Sequence, residues 1–173
     1  MKNGFHSCLG NGKNFVVLGR SAAKNFVWEK PWVCISIATE EGDWPKINKV
    51  QQMGHLQMHF ADADHPVFQE RLDRMGIPMF NKEHAAKILD FVNEHWDNVE
   101  LFMFHCEAGM SRSPAVAAAI MKIKGMDDCT WFANKTPNAH VYRVLLETAH
   151  ERGEFGPVEE EKMPEPEGKF DRM

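Results

Sequence analysis

At 173 residues, 43% hydrophobic and 26% charged, the chain can build one domain with a real core and is too short for two comfortable ones. Its net charge of −5 is unevenly placed: Glu154 to Met173 holds seven acids and three bases, so the body is close to neutral. A nucleic-acid module would show a basic stripe, so none is favoured; no apolar run nears the roughly 18–20 residues of a membrane span. Cys8, Cys34, Cys106 and Cys129 are far apart and form no CxxC pair, which argues against a zinc ribbon or disulfide scaffold and suits a reducing cytosol. The first residues lack the apolar segment of a signal peptide, so a cytoplasmic protein is expected. Nothing in the sequence specifies an oligomer.

In chain order, Phe15 to Gly19 is short, apolar and ended by glycine, which predicts a strand. Trp32 to Ala38, rich in β-branched residues after Pro31, predicts a second. His55 to Phe60 reads as a third, half polar and so nearer an edge. Val67 to Met75 is a short amphipathic helix, and Asn81 can cap a longer one in which Ala85, Ile88, Leu89 and Val92 share a face. Val99 to His105 is apolar on both alternating faces, as in a central strand covered on both sides. Ser113 to Lys124 is an alanine-rich helix ending at Gly125, and Asp127 to Asn134 supplies one or two turns. Thr136 and Pro137 read as a cap and first helical residue for a helix to about Arg152. Strands alternating with helices predict an α/β domain over residues 1–153, with a central, largely parallel sheet of about four or five strands flanked by helices. Residues 154–173, rich in Glu, Pro, Gly and Lys, predict a flexible acidic tail.

The chemistry is concentrated in HCEAGMSRS, His105 to Ser113, between the central strand and the alanine-rich helix. A loop there collects peptide N–H groups and the positive end of a helix, an anion site. The backbone of Glu107, Ala108, Gly109, Met110, Ser111 and Arg112 would point at a phosphate. Gly109 allows a close approach that a side chain would block, and Met110 and Ala108 supply only shape. Arg112 can grip two phosphate oxygens with its planar fork. The same donors favour Cys106 as a thiolate, and Ser113 can donate a hydrogen bond to the sulfur when it leaves.

These residues resemble the HCxxGxxR-Ser/Thr signature of the cysteine-dependent protein tyrosine phosphatases, and HCEAGMSRSPAVAAAIM looks most like the small dual-specificity branch. The resemblance covers about Val99 to Gly125. It implies a strand–phosphate loop–helix core, a cysteinyl-phosphate intermediate and no cofactor or metal. It carries Cys106 as nucleophile, Arg112 as phosphate clamp, Ser113 as leaving-group aid and His105 as a residue that sets the thiol environment. It also requires an acid on a separate loop past a strand. Asp62 is the first acid after the third strand, with Asp64 as the alternative, although the spacing to Cys106 is longer than usual for that branch.

A metal reading of the nine histidines fails on geometry, since His55 and His59 on one strand stand roughly 13 Å apart. The expected substrate is a phosphorylated protein or a small phosphomonoester. The variable loop positions contain no base, which points to a singly phosphorylated group. The other readings are a phosphatase of a metabolite, inositol phosphate or nucleotide/RNA end, and a phosphate-binding pseudophosphatase module. A sulfurtransferase loop is disfavoured by the Arg112–Ser113 pair.

Overall fold

Alternation along the strands decides the layers of the computed structural model, which describes residues 6–10 and 12–155. The elements are β1 (His6–Gly10), β2 (Lys13–Leu18), α1 (Arg20–Lys24), β3 (Trp32–Ala38), β4 (Gln52–His59) and a 3-10 turn (Pro66–Phe68). They continue with α2 (Gln69–Met75), α3 (Lys82–His95), β5 (Leu101–His105), α4 (Arg112–Ile123), α5 (Cys129–Asn134) and α6 (Ala139–Glu151). The sheet runs β1-β2-β5-β3-β4. All neighbours are parallel except β1, which joins β2 as an antiparallel edge.

Because successive side chains point to opposite faces, Phe15, Val17, Phe102 and Phe104 meet one helical layer, and Val16, Leu18, Leu101 and Met103 the other side. Phe15 stacks on Phe102 and Phe104 at 5.7 and 5.8 Å, tying β2 to β5 in parallel register. Every residue of β5 is buried, as expected for a strand covered on both faces. On the first face lie α3, with Ala85, Ile88, Leu89 and Val92 buried, α4 and α6. From Arg112 to Met121, α4 is buried all round, and its alanines let it pack closely between β5 and α6. No helix among the described residues is long and apolar enough to cross a membrane.

Three sequence expectations change. The hairpin strand β1 and the short α1 were not foreseen. The last helix begins at Ala139, with Asn138 rather than Thr136 as its cap: the Asn138 side chain accepts from the Val141 N–H. Thr136 cannot serve because its N–H and hydroxyl are both directed at the Met110 carbonyl, and the Asn138 N–H goes to the Ser111 carbonyl. Those bonds pin the connection to the loop between β5 and α4 before the helix starts. The expected tail falls, beyond residue 155, outside the described residues.

Candidate active site

The loop from Cys106 to Ser111 leaves the carboxyl end of β5 between β2 and β3, the region where parallel sheets open a crevice for ligands. Three contacts fix its path. Gly109 takes φ +68°, and a Cβ there would lie 2.6 Å from the Leu18 carbonyl carbon, so glycine is demanded twice over. The Arg20 N–H donates to the Glu107 carbonyl at 2.9 Å, and its guanidinium reaches Asp43 at 3.1 Å and Glu107 at 3.9 Å. Residues 136 and 138 hold Met110 and Ser111 from the other side.

At the base of the loop, Cys106 Sγ is buried 3.1 Å from Ser113 Oγ. Arg112 is also buried, its Nη1 donating to Thr39 Oγ1 and to the Phe60 carbonyl, both at 2.9 Å. The guanidinium is thus braced on the ends of β3 and β4, while its Nε has no acceptor. Buried polar groups are nearly always paired, so an unused arginine donor beside an anion-shaped loop fits an acceptor arriving with a ligand.

His105 is buried beneath the loop, its Nδ1 3.5 Å from the Cys106 carbonyl oxygen and its Nε2 2.5 Å from Ser36 Oγ. That serine stands 2.6 Å from His55 Nε2, so a polar chain runs from the β4 strand to the backbone of Cys106. Burial, chiefly, pushes the His105 imidazole down to about 4, against the bond to the Cys106 carbonyl that favours its charged form. It is neutral at physiological pH. Burial and nearby Lys49 also lower His55.

The two candidate acids differ in surroundings. Asp62 projects between buried Ala61 and Ala63, whose packing with Met79 seats the segment. Its Oδ1 accepts from Ser111 Oγ at 2.7 Å and from Asn138 Nδ2 at 2.9 Å. Asn138 Nδ2 also reaches the Ala63 carbonyl at 3.2 Å. Both aspartates are exposed, but the fold brings Asp62 against the 106–111 loop, whereas Asp64 joins it only as part of the wall of a neighbouring cleft. That cleft, about 560 Å³, is also lined by Phe68, Ser111, Phe132 and Lys135.

Sequence reasoning did not identify Thr39, Ser36 and Asn138 as parts of the site. The signal for Asn138 was present, since asparagine just before an apolar periodic run is a strong cap; nothing local marks Thr39 or Ser36. Nor does Met110 supply only shape: its carbonyl anchors Thr136, and its sulfur meets Lys135 Nζ at 3.6 Å.

Together these groups place a thiol, a braced guanidinium, a hydroxyl and a carboxylate around one anion-sized loop. No protein-family model matches the sequence, and no curated protein matches it either. Solved structures do. The human tyrosine phosphatase-like serine/threonine/tyrosine-interacting protein superposes with TM-score 0.51 at 21% identity, over 84% of this chain and 96% of that one. DUSP15 gives 0.53 at 19%, over 84% and 86%. A mouse putative dual specificity phosphatase, solved as a complex with zinc tungstate, gives 0.51 at 15%, over 90% and 94%. The α/β architecture of this chain is the fold of the small dual-specificity phosphatases.

Proposed function

We propose that the protein is a phosphomonoester hydrolase that works through a cysteinyl-phosphate intermediate, acting on phosphotyrosine and on phosphoserine or phosphothreonine in proteins. The observation that carries this reading is the seating of Cys106 Sγ, 3.1 Å from Ser113 Oγ, beneath a loop whose Arg112 keeps a buried donor free. A substrate phosphoryl group in the loop accepts from the backbone N–H groups and from Arg112. These donors hold the charge on the equatorial oxygens as it is transferred. Cys106 Sγ attacks phosphorus, the bond from phosphorus to the substrate oxygen breaks, and Asp62 gives that oxygen its proton. Water then attacks phosphorus and passes a proton to Asp62. The S–P bond breaks, and the Ser113 hydroxyl donates to the departing thiolate. Neutral His105 holds the Cys106 carbonyl in place.

The fold shared with dual-specificity phosphatases supports the substrate class, and the exposed Phe68 and Phe132 beside the loop suit a peptide. The experiment is hydrolysis of p-nitrophenyl phosphate and of a phosphotyrosine peptide, with Cys106→Ser and Arg112→Ala as controls. Both variants should lose turnover, and full activity in Cys106→Ser would overturn the mechanism. Asp62→Asn should slow substrates with poor leaving groups far more than good ones, and more than Asp64→Asn does. Equal effects of the two would remove Asp62 from the role.

A further inference from the structure

The chain that follows the Asp62 segment folds into a 3-10 turn and α2, and no side chain of either is buried. The polar side chains of α2 are matched to one another: Gln69 donates to Asp73 at 2.7 Å, and Glu70 stands 3.6 Å from Arg74. Phe68, Leu72 and Met75 instead fall at i, i+4 and i+7, one apolar stripe along the helix. A helix of seven residues is marginal alone, and such a stripe ordinarily holds it by packing on a core. Here the stripe lines a pocket of about 290 Å³ whose other wall is Thr39 and the chain from Ala61 to Ala63. Thr39 accepts from Arg112, and Asp62 accepts from Ser111, so the pocket opens directly off the Cys106 site.

We propose that this pocket is a specificity subsite: it takes one apolar side chain, of leucine or methionine size, from the same peptide whose phosphoryl group enters the Cys106 loop. The inference rests on the phosphatase reading and extends it to the residues beside the phosphorylated one. Pockets for whole small molecules start near about 300 Å³, so this one suits a side chain. Phe68 and Met75, 43% and 59% exposed, are the surface that such a side chain takes out of water. A peptide is favoured because two clefts meet at the acid. Asp62 and Phe68 line both this apolar pocket and the more polar cleft that holds Ser111, Thr136 and Asn138. A polypeptide passing Asp62 has a flank for each, whereas an alkyl phosphate has a single tail.

The test uses phosphotyrosine peptides that are identical except for Leu, Met or Asn placed in turn at each flanking position. Turnover is measured on the intact protein, and binding on Cys106→Ser by calorimetry. At one or two positions, Leu and Met should raise kcat/KM and affinity about tenfold over Asn, which corresponds to about 1.4 kcal/mol. The ratio should collapse toward one in Leu72→Asn and in Met75→Lys, and survive in Leu72→Met. Met75 is exposed, so Met75→Lys changes the pocket without opening a hole in a core. The Asn peptide serves as each variant's own reference, so a general loss of activity cannot imitate the result. Equal turnover of all peptides, or a Leu preference that both variants keep, would overturn the subsite and leave the phosphatase intact. Leu-dependent binding that Met75→Lys abolishes, with no peptide hydrolysed, would support the subsite and overturn the phosphatase. Octyl phosphate hydrolysed more efficiently than every peptide would overturn the peptide as occupant.

Discussion

Gly109→Ala tests the claim that the phosphate loop is built on a residue without a side chain. The positive φ of +68° costs an L-residue about 1–2 kcal/mol. A Cβ would also stand 2.6 Å from the Leu18 carbonyl carbon, 2.7 Å from the Gly19 nitrogen and 2.8 Å from the Leu18 oxygen. All three are backbone atoms of β2 and the turn after it, so no rotamer change relieves the overlap. Forced repacking of that kind costs about 1–3 kcal/mol, and the two effects together give about 2–5 kcal/mol. For a chain of this size that lowers Tm by roughly 4–20 °C. Gly12→Ala separates the contributions, because Gly12 has φ +73° with nothing within 4 Å of a Cβ. Thermal melts of both variants by circular dichroism, with turnover of p-nitrophenyl phosphate alongside, give the answer. Gly109→Ala should melt well below Gly12→Ala and lose about a hundredfold in kcat/KM as the loop shifts to escape β2. Equal melting temperatures with retained turnover would show that the loop does not depend on contact with the Leu18 backbone.

Asn138→Ala removes the cap of α6 and should cost about 1–2 kcal/mol in denaturant unfolding. Asn138→Asp keeps the cap acceptor but sets a carboxylate against Asp62, so stability should hold better than activity. Ser111→Ala and Asn138→Ala act on one oxygen of Asp62, so their effects on poor leaving groups should be non-additive in a double-mutant cycle. Ser113→Ala should slow breakdown of the intermediate about tenfold to a hundredfold, seen as a burst of p-nitrophenol before the steady rate. His105, held at about 4 in the fold, leaves only the unfolded chain protonated between about pH 6.5 and pH 4. Its contribution to stability is therefore full above about pH 6.5 and is lost as pH falls, by on the order of 3 kcal/mol. Unfolding free energies measured from about pH 7.5 to about pH 4.5 should fall less steeply in His105→Asn than in the parent.

The central strand and the loop after it were legible because their determinants are contiguous. Alternation marks β5, and the spacing of Cys106, Gly109, Arg112 and Ser113 lies within a single turn of chain and the helix it opens. Asp62, the first acid after β4, lies against the 106–111 loop, and the buried alanines on either side of it leave it facing outward. The hairpin at β1 was readable in principle, since Asn11-Gly12 is a strong turn signal. The rest depends on distant partners. Arg112 is braced by Thr39 and Phe60, and His105 is tied to Ser36 and His55, separations of fifty residues or more in most cases. No local pattern encodes such pairings. Thr136-Pro137 shows the converse: a good local helix start was overridden because Thr136 bonds to Met110 instead.

That override matters for the chemistry. Residues 135 to 138 tie the end of the loop to the Asp62 segment: Lys135 meets Met110, Thr136 holds the Met110 carbonyl, and Asn138 binds Ser111, Asp62 and Ala63. Asn138 is also the first link to α6, whose Val141, Leu145 and Ala149 are buried in the main core. An acid carried on an exposed loop would ordinarily sample many positions. Here its carboxylate is fixed by a residue that is itself 4% exposed and anchored to a core helix. The position of Asp62 against the 106–111 loop is therefore tied to the packing of α6 against α4 as well as to the segment that follows Asp62 in sequence. The segment that follows Asp62 turns away into the 3-10 turn and α2, and Asp62 is held from the opposite side by Asn138.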